Sequence, residues 1–115
     1  MQVGAAIQKA EPTAWVLLDC MTLLTSNVLL SLPEPLDENE LEKMMQQEID
    51  AIISAYHSHA GKWVVVSNEV GLGLVPNNPL GRFYRDALGR ANQRLAEVAD
   101  MVIFMVAGIP WRLKG

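Results

Sequence analysis

The chain has a single cysteine, Cys20, among its 115 residues. No internal disulfide can form and no cysteine-based zinc site can be built, which suits a reducing, cytoplasmic setting. Nor is there an excess of positive charge. Nine Lys and Arg stand against 13 Asp and Glu, for a net charge of −4 and a pI near 5.0. The electrostatic drive toward nucleic acid is therefore missing overall, although arginines gather between Arg82 and Arg94. No apolar run is suited to spanning a membrane: Trp15 to Leu30 is cut by Asp19 and by Thr25-Ser26-Asn27, and Met101 to Ala107 is too short. The start is not that of a signal peptide, with neither a basic opening nor a small-residue cleavage site. Repeats and low-complexity segments are absent, and so is any phosphate-cradling Gly-x-x-x-x-Gly-Lys-Ser/Thr loop.

What is present is ordinary for a soluble globular protein, half hydrophobic and 19% charged. The length allows one domain at most, covering residues 1–115. Val3, Ile7 and Ala10 recur at helical spacing until Glu11-Pro12 ends the pattern. Ala14 to Leu18 reads as an apolar strand ending at Asp19, followed by a short helix from Thr22 to Leu32 and a Pro33-Glu34-Pro35 loop. Asp37 is the expected N-cap of the clearest helix, with Glu40 placed as in a capping box. Leu41, Met44, Met45, Ile49, Ile52, Ile53 and Tyr56 supply its apolar stripe, and Gly61 is its expected terminator. A second buried strand covers Lys62 to Ser67. Asn78 then caps a helix with Pro79 at its first position. Its expected buried side is Leu80, Phe83, Tyr84, Ala87, Leu88, Ala91, Leu95 and Val98. A third strand, Met101 to Val106, precedes a short tail from Gly108 to Gly115. Strands separated by helices imply α/β class and a parallel sheet with right-handed crossovers.

The most telling stretch is Asn68-Glu69-Val70-Gly71-Leu72-Gly73-Leu74-Val75-Pro76. It follows the apolar run Trp63-Val64-Val65-Val66, and an α/β protein places its chemistry at such strand ends. Trp15-Val16-Leu17-Leu18-Asp19 has the form of a Walker B strand, an apolar run presenting one carboxylate that can hold Mg²⁺ through water. Taken alone, Asp19 reads equally as a cap or turn residue. Side by side in a parallel sheet, Asp19 and Glu69 would share one crevice and serve metal binding or proton transfer. The plainer alternative has Asn68 closing the turn and Glu69 in solvent. Gly71 and Gly73 permit close backbone approach, without the third glycine of a dinucleotide fingerprint.

On the third helix Arg82, Arg85, Asp86, Gly89, Asn92 and Gln93 share one side. The guanidiniums at 82 and 85 are suited to clamping phosphate oxygens. The alternative is a solvated face with Asp86 and Arg90 as a local pair. Gly89 in mid-helix, at a cost of about 1 kcal/mol, points to close packing by a partner or ligand. His57 and His59 have no neighbouring ligand pattern and read as surface residues.

These motifs together resemble a known family. Val64 to Pro76, then Arg82-Phe83-Tyr84-Arg85-Asp86, Gly89-Arg90 and Asn92-Gln93-Arg94-Leu95-Ala96, are similar to successive motifs of the bifunctional adenosylcobinamide kinase/adenosylcobinamide-phosphate guanylyltransferases. Leu17-Leu18-Asp19-Cys20-Met21-Thr22 and Thr25-Ser26-Asn27-Val28-Leu29 resemble that family's Walker B segment and following helix. The likeness runs from about Trp15 over nearly the whole chain.

The resemblance implies a partial P-loop NTPase fold, RecA-like, with a parallel sheet of about three strands and flanking helices. It implies two steps of cobalamin biosynthesis. ATP or GTP phosphorylates adenosylcobinamide, and a histidine of the enzyme then carries GMP from GTP to that phosphate. Mg²⁺ with ATP or GTP is the implied cofactor set. Asp19 and Glu69 would be catalytic, with Asp19 also holding the metal. Asn68, Gly71, Arg82, Arg85, Asn92 and Gln93 would bind nucleotide or substrate. The chain departs from the family at its front, because neither the phosphate loop nor the guanylylated histidine is matched. Gly61-Lys62 has Tyr56 and Trp63 at the flanking loop positions, and His57 and His59 do not match the histidine.

The resemblance is therefore to a C-terminal portion, inactive alone, whose partner would be a missing N-terminal half. In RecA-like sheets the phosphate-loop strand lies between the second and third strands present here. Its removal would leave a gap, force those two to pair, or expose edges that favour a homo-oligomer. The alternative function is a non-catalytic nucleotide-fold interaction or oligomerisation module. An unrelated Rossmann-like dinucleotide-binding domain is a third reading, weakened by the incomplete glycine pattern.

Overall fold

The computed structural model describes residues 3, 15–35, 37–59, 61–69 and 78–115. Its elements run β1 (Val16–Asp19), α1 (Met21–Ser31), α2 (Glu38–Ser58), β2 (Trp63–Val66), α3 (Pro79–Val98), β3 (Val102–Val106) and β4 (Ile109–Lys114). Of the first expected helix only Val3 is described, helical and packed against the core. Ile7, Ala10 and the expected stop at Pro12 lie outside the described residues, as does the glycine loop at Gly71 and Gly73.

Among the described residues, α1, α2 and α3 supply the buried core. Along α2, Leu41, Met45, Ile49, Ile52 and Ala55 are buried at three-to-four spacing, so one stripe faces inward. Met21, Leu24, Thr25 and Val28 of α1 and Ala87, Leu88 and Ala91 of α3 complete the packing. Thr25 is the buried polar residue of this layer, and its hydroxyl donates to the Met21 carbonyl at 2.8 Å, one turn earlier. The helix starts are those expected. Asp37 accepts from the Asn39 N–H at 2.9 Å, and Asn78 accepts from the Gly81 N–H at 2.6 Å with Pro79 in the first turn. At the other end α2 stops at an extended His59 before it reaches Gly61. The Gly61 N–H then donates to His59 Nδ1 at 3.0 Å.

The strands depart further from expectation. β1 and β2 pair in parallel, with Val16 opposite Trp63 and Asp19 opposite Val66. β3 joins neither. It pairs antiparallel with β4, so the anticipated tail is a strand and, among the described residues, two two-stranded sheets stand in place of the three-stranded parallel one. The turn between them is Ala107-Gly108, both with positive φ (50° and 75°), the twist a two-residue hairpin needs. Among the described residues β2 and β3 do not pair with each other.

The strands are also less buried than their composition suggests. Leu18 and Trp63 pack on the helices, but Leu17 is 67% exposed and Val64 45% exposed on the opposite face. Leu80, expected inside, is half exposed as well. Among the described residues, then, helices cover one face of the parallel pair.

Polar ties join α3 to both neighbours. Arg90 reaches across to Glu42 of α2 at 2.7 Å, and not to Asp86 as the solvated-face alternative had it. The Glu42 hydrogen bond and charge hold the Arg90 guanidinium above its ordinary pKa. Arg94 joins Asp50 at 2.7 Å and donates to Gln46 at 2.6 Å. From β4, the Lys114 ammonium donates to the Ala96 and Glu97 carbonyls at 2.9 and 3.0 Å. These carbonyls lie in the last turn of α3, where intrahelical donors run out and a cation is favoured by the helix dipole.

Candidate functional site at the carboxyl ends of the parallel strands

Parallel pairing brings the ends of β1 and β2 together, with α1 starting just beyond β1. Asp19, the last residue of β1, is exposed. Strand alternation puts it with Leu17 on the open face of the sheet. The segment 67–69 continues from β2 and carries Asn68 and Glu69 at the same end, both exposed.

A chain of hydrogen bonds holds this region. The Asn68 side chain donates to the Thr22 hydroxyl at 3.0 Å, in the first turn of α1. The Asn92 amide of α3 donates to the Asn68 carbonyl at 2.9 Å. Ser67 donates its hydroxyl proton to Asn92 Oδ1 at 2.5 Å. The Tyr84 hydroxyl, two turns earlier on α3, donates to the Thr22 carbonyl at 3.3 Å. The structure thus unites Asn68 and Asn92, two residues singled out from the sequence, and adds Thr22, Ser67 and Tyr84. Thr22 had a usable signal, a hydroxyl three residues after the strand-end carboxylate. Ser67 and Tyr84 had none beyond position.

The rest of the α3 stripe is open. Arg82 and Gln93 are exposed and Arg85 is half-buried. Arg85 makes no hydrogen bond or ion pair among the described residues. A Cβ built at Gly89 would meet nothing within 4 Å, so no neighbour in the described structure accounts for that glycine by close packing. Arg85 precedes Asn92 by seven residues, which is about 10 Å of helix rise along the same side. Gly71 lies outside the described residues.

Polar side chains gathered where parallel strands end, with an arginine-bearing helix beside them, mark an α/β protein, a class that commonly binds its ligands at such strand ends. The particular family follows from comparison with known sequences. Residues 1–113 match the CobU family, cobinamide kinase / cobinamide phosphate guanyltransferase, and the chain belongs to that family. It is 42% identical over 108 residues to the bifunctional adenosylcobalamin biosynthesis protein CobU of Salmonella typhimurium, covering 90% of this chain and 60% of that protein. The Escherichia coli protein of the same name is 38% identical over 109 residues, with the same coverage. The bifunctional adenosylcobalamin biosynthesis protein CobP of Pseudomonas aeruginosa is 39% identical over 108 residues, covering 93% of this chain and 57% of that protein. The chain therefore spans about 60% of the length of these relatives. No helix among the described residues is long and apolar enough to cross a membrane.

Proposed function

We propose that this chain supplies the strand-end and α3 surfaces of a cobinamide kinase/guanylyltransferase, the enzyme that phosphorylates adenosylcobinamide and then transfers GMP from GTP to the phosphate. The observation that carries the reading is the half-buried Arg85, which has no hydrogen-bond or ion-pair partner among the described residues, on the same helix side as the Asn92 that touches the β2 end. A guanidinium so placed has its donors available for phosphate oxygens. Arg82 and Gln93 extend the same surface, and Gly89 leaves it open.

Asp19 and Glu69 are the proposed catalytic carboxylates, at the ends of β1 and β2. The donors present suit Mg²⁺, which takes one or two carboxylates and fills its shell with water and phosphate oxygens. Asp19 would hold it, and its charge would neutralise the transferring phosphoryl group. Asn68 and Thr22 order the floor on which that carboxylate end rests.

The 115 residues contain no phosphate-gripping loop. We therefore propose that turnover needs that grip from a further part of the enzyme, completing a P-loop, RecA-like sheet in the gap between β2 and β3. Alone, the chain would bind ATP and GTP poorly, and its exposed strands would favour self-association in a cytosolic setting. Family membership disfavours the non-catalytic module.

The test is complementation. The part of the Salmonella relative outside the match, joined to or mixed with this chain, should restore GMP transfer from GTP to cobinamide phosphate. Two correctly folded parts that associate yet stay silent would overturn the reading.

A further inference from the structure

We propose that Asn92 is a positioning residue, whose carboxamide fixes the backbone at Ser67 and Asn68 and thereby sets where Glu69 stands. The family resemblance implied that Asn92, on the helix side that carries Arg82 and Arg85, is a ligand contact. The geometry gives it different work, since both ends of its amide are engaged within the chain. Nδ2 donates to the Asn68 carbonyl at 2.9 Å, and Oδ1 accepts from the Ser67 hydroxyl at 2.5 Å.

The need for such a grip follows from the ladder. The β1–β2 ladder ends at Asp19 and Val66, so among the described residues the segment 67–69 lies beyond the strand pairing. Side chains hold its path instead. Asn92 holds the segment from α3, and Asn68 in turn holds Thr22 at the start of α1. Tyr84 ties α3 to the same residue through the Thr22 carbonyl. A carboxamide is the fitting group at position 92, because it presents a donor and an acceptor side by side. An aspartate would retain the acceptor for Ser67 and lose the donor to Asn68, setting oxygen against oxygen. One consequence is that the Arg85 side of α3 and the Glu69 segment move as a unit. A nucleotide gripped by the first is thereby presented to the second, a step that rests on the function proposed above.

Two measurements decide it. In the isolated chain, amide ¹H–¹⁵N spectra of Asn92→Ala and Asn92→Asp should show displaced Asn68 and Glu69 signals with reduced heteronuclear NOE. Arg85→Ala should leave both residues unchanged. Ser67→Ala, which spares the grip on the Asn68 carbonyl, should give a smaller displacement, and it serves as the decisive variant if the Asn92 proteins do not fold. In the completed enzyme, Asn92→Ala and Asn92→Asp should lower kcat about tenfold, the scale of one lost hydrogen bond, with KM for GTP within about twofold.

Undisturbed Glu69 signals, or a raised KM for GTP at constant kcat, would overturn the proposal. The second result would make Asn92 a direct nucleotide contact. If the completed wild-type enzyme transfers no GMP at all, the functional reading fails, while the spectra still decide the role of Asn92.

Discussion

The helical layer and the strands are built from similarly apolar residues, yet they use them differently. Leu41, Ile49, Ile52 and Leu88 are almost wholly enclosed, and each helix buries a face against the others. In the strands Leu17, Ile103, Met105, Ile109 and Trp111 stand between 48% and 67% exposed. A helix trio can satisfy its own apolar faces. A two-stranded ribbon cannot, and needs a further strand or layer on each open side. Stability thus resides in the helices, while the strands keep apolar surface that no described residue covers.

The largest test of this contrast is truncation on each side of it. Leu88→Ala should lower the unfolding free energy by about 2–5 kcal/mol, the range for buried leucines. Ile103→Ala on the hairpin should cost about 1 kcal/mol or less, as at exposed positions. Equal losses by denaturant titration would erase the distinction.

The next largest effect separates function from folding. Asp19→Asn in the completed enzyme should reduce Mg²⁺-dependent turnover by about 100-fold or more, with an unchanged melting temperature because the carboxylate is exposed. Unaltered metal dependence would remove Asp19 from the site. Arg85→Ala should raise the GTP concentration for half-maximal rate about tenfold, the loss of one charge-assisted contact of about 1.5 kcal/mol. Unchanged kinetics would return that helix side to solvent. The smallest effect sharpens the hairpin. Ala107→Asn should stabilise by about 0.5 kcal/mol, since asparagine tolerates the positive φ found there better than alanine does.

How much of this was legible in the sequence depended on whether the interaction was local. The α2 helix was readable from its cap through its stripe, because Asp37 and the 41-45-49-52 positions lie within one element, but its stop at His59 was not. The start of α3 was readable too, from Asn78 and Pro79. The hairpin was hidden twice over. Ala107-Gly108 lacks the asparagine or aspartate that usually marks such a turn, and Pro110 argues against a strand even though it sits on one here, opposite Met105. The partner of Arg90 was missed because Asp86 lies at helical spacing, whereas Glu42 is brought in only by packing of α2 against α3.

In the site, Asn68 and Asn92 were visible as residues and not as a pair, since 24 positions separate them. The open surroundings of Gly89 were illegible as well. A glycine in mid-helix signals permitted approach, but what approaches is fixed by tertiary structure.

Lys114 gives the hairpin a hold on the helix that bears the site. Its ammonium closes the last turn of α3 from the far end of β4, through the carbonyls of Ala96 and Glu97. Acetylating that amine, or replacing Lys114 with methionine, would free both oxygens and let the helix fray backward toward Arg94 and Asn92. Lys114 is in effect a latch, worked from the outermost strand.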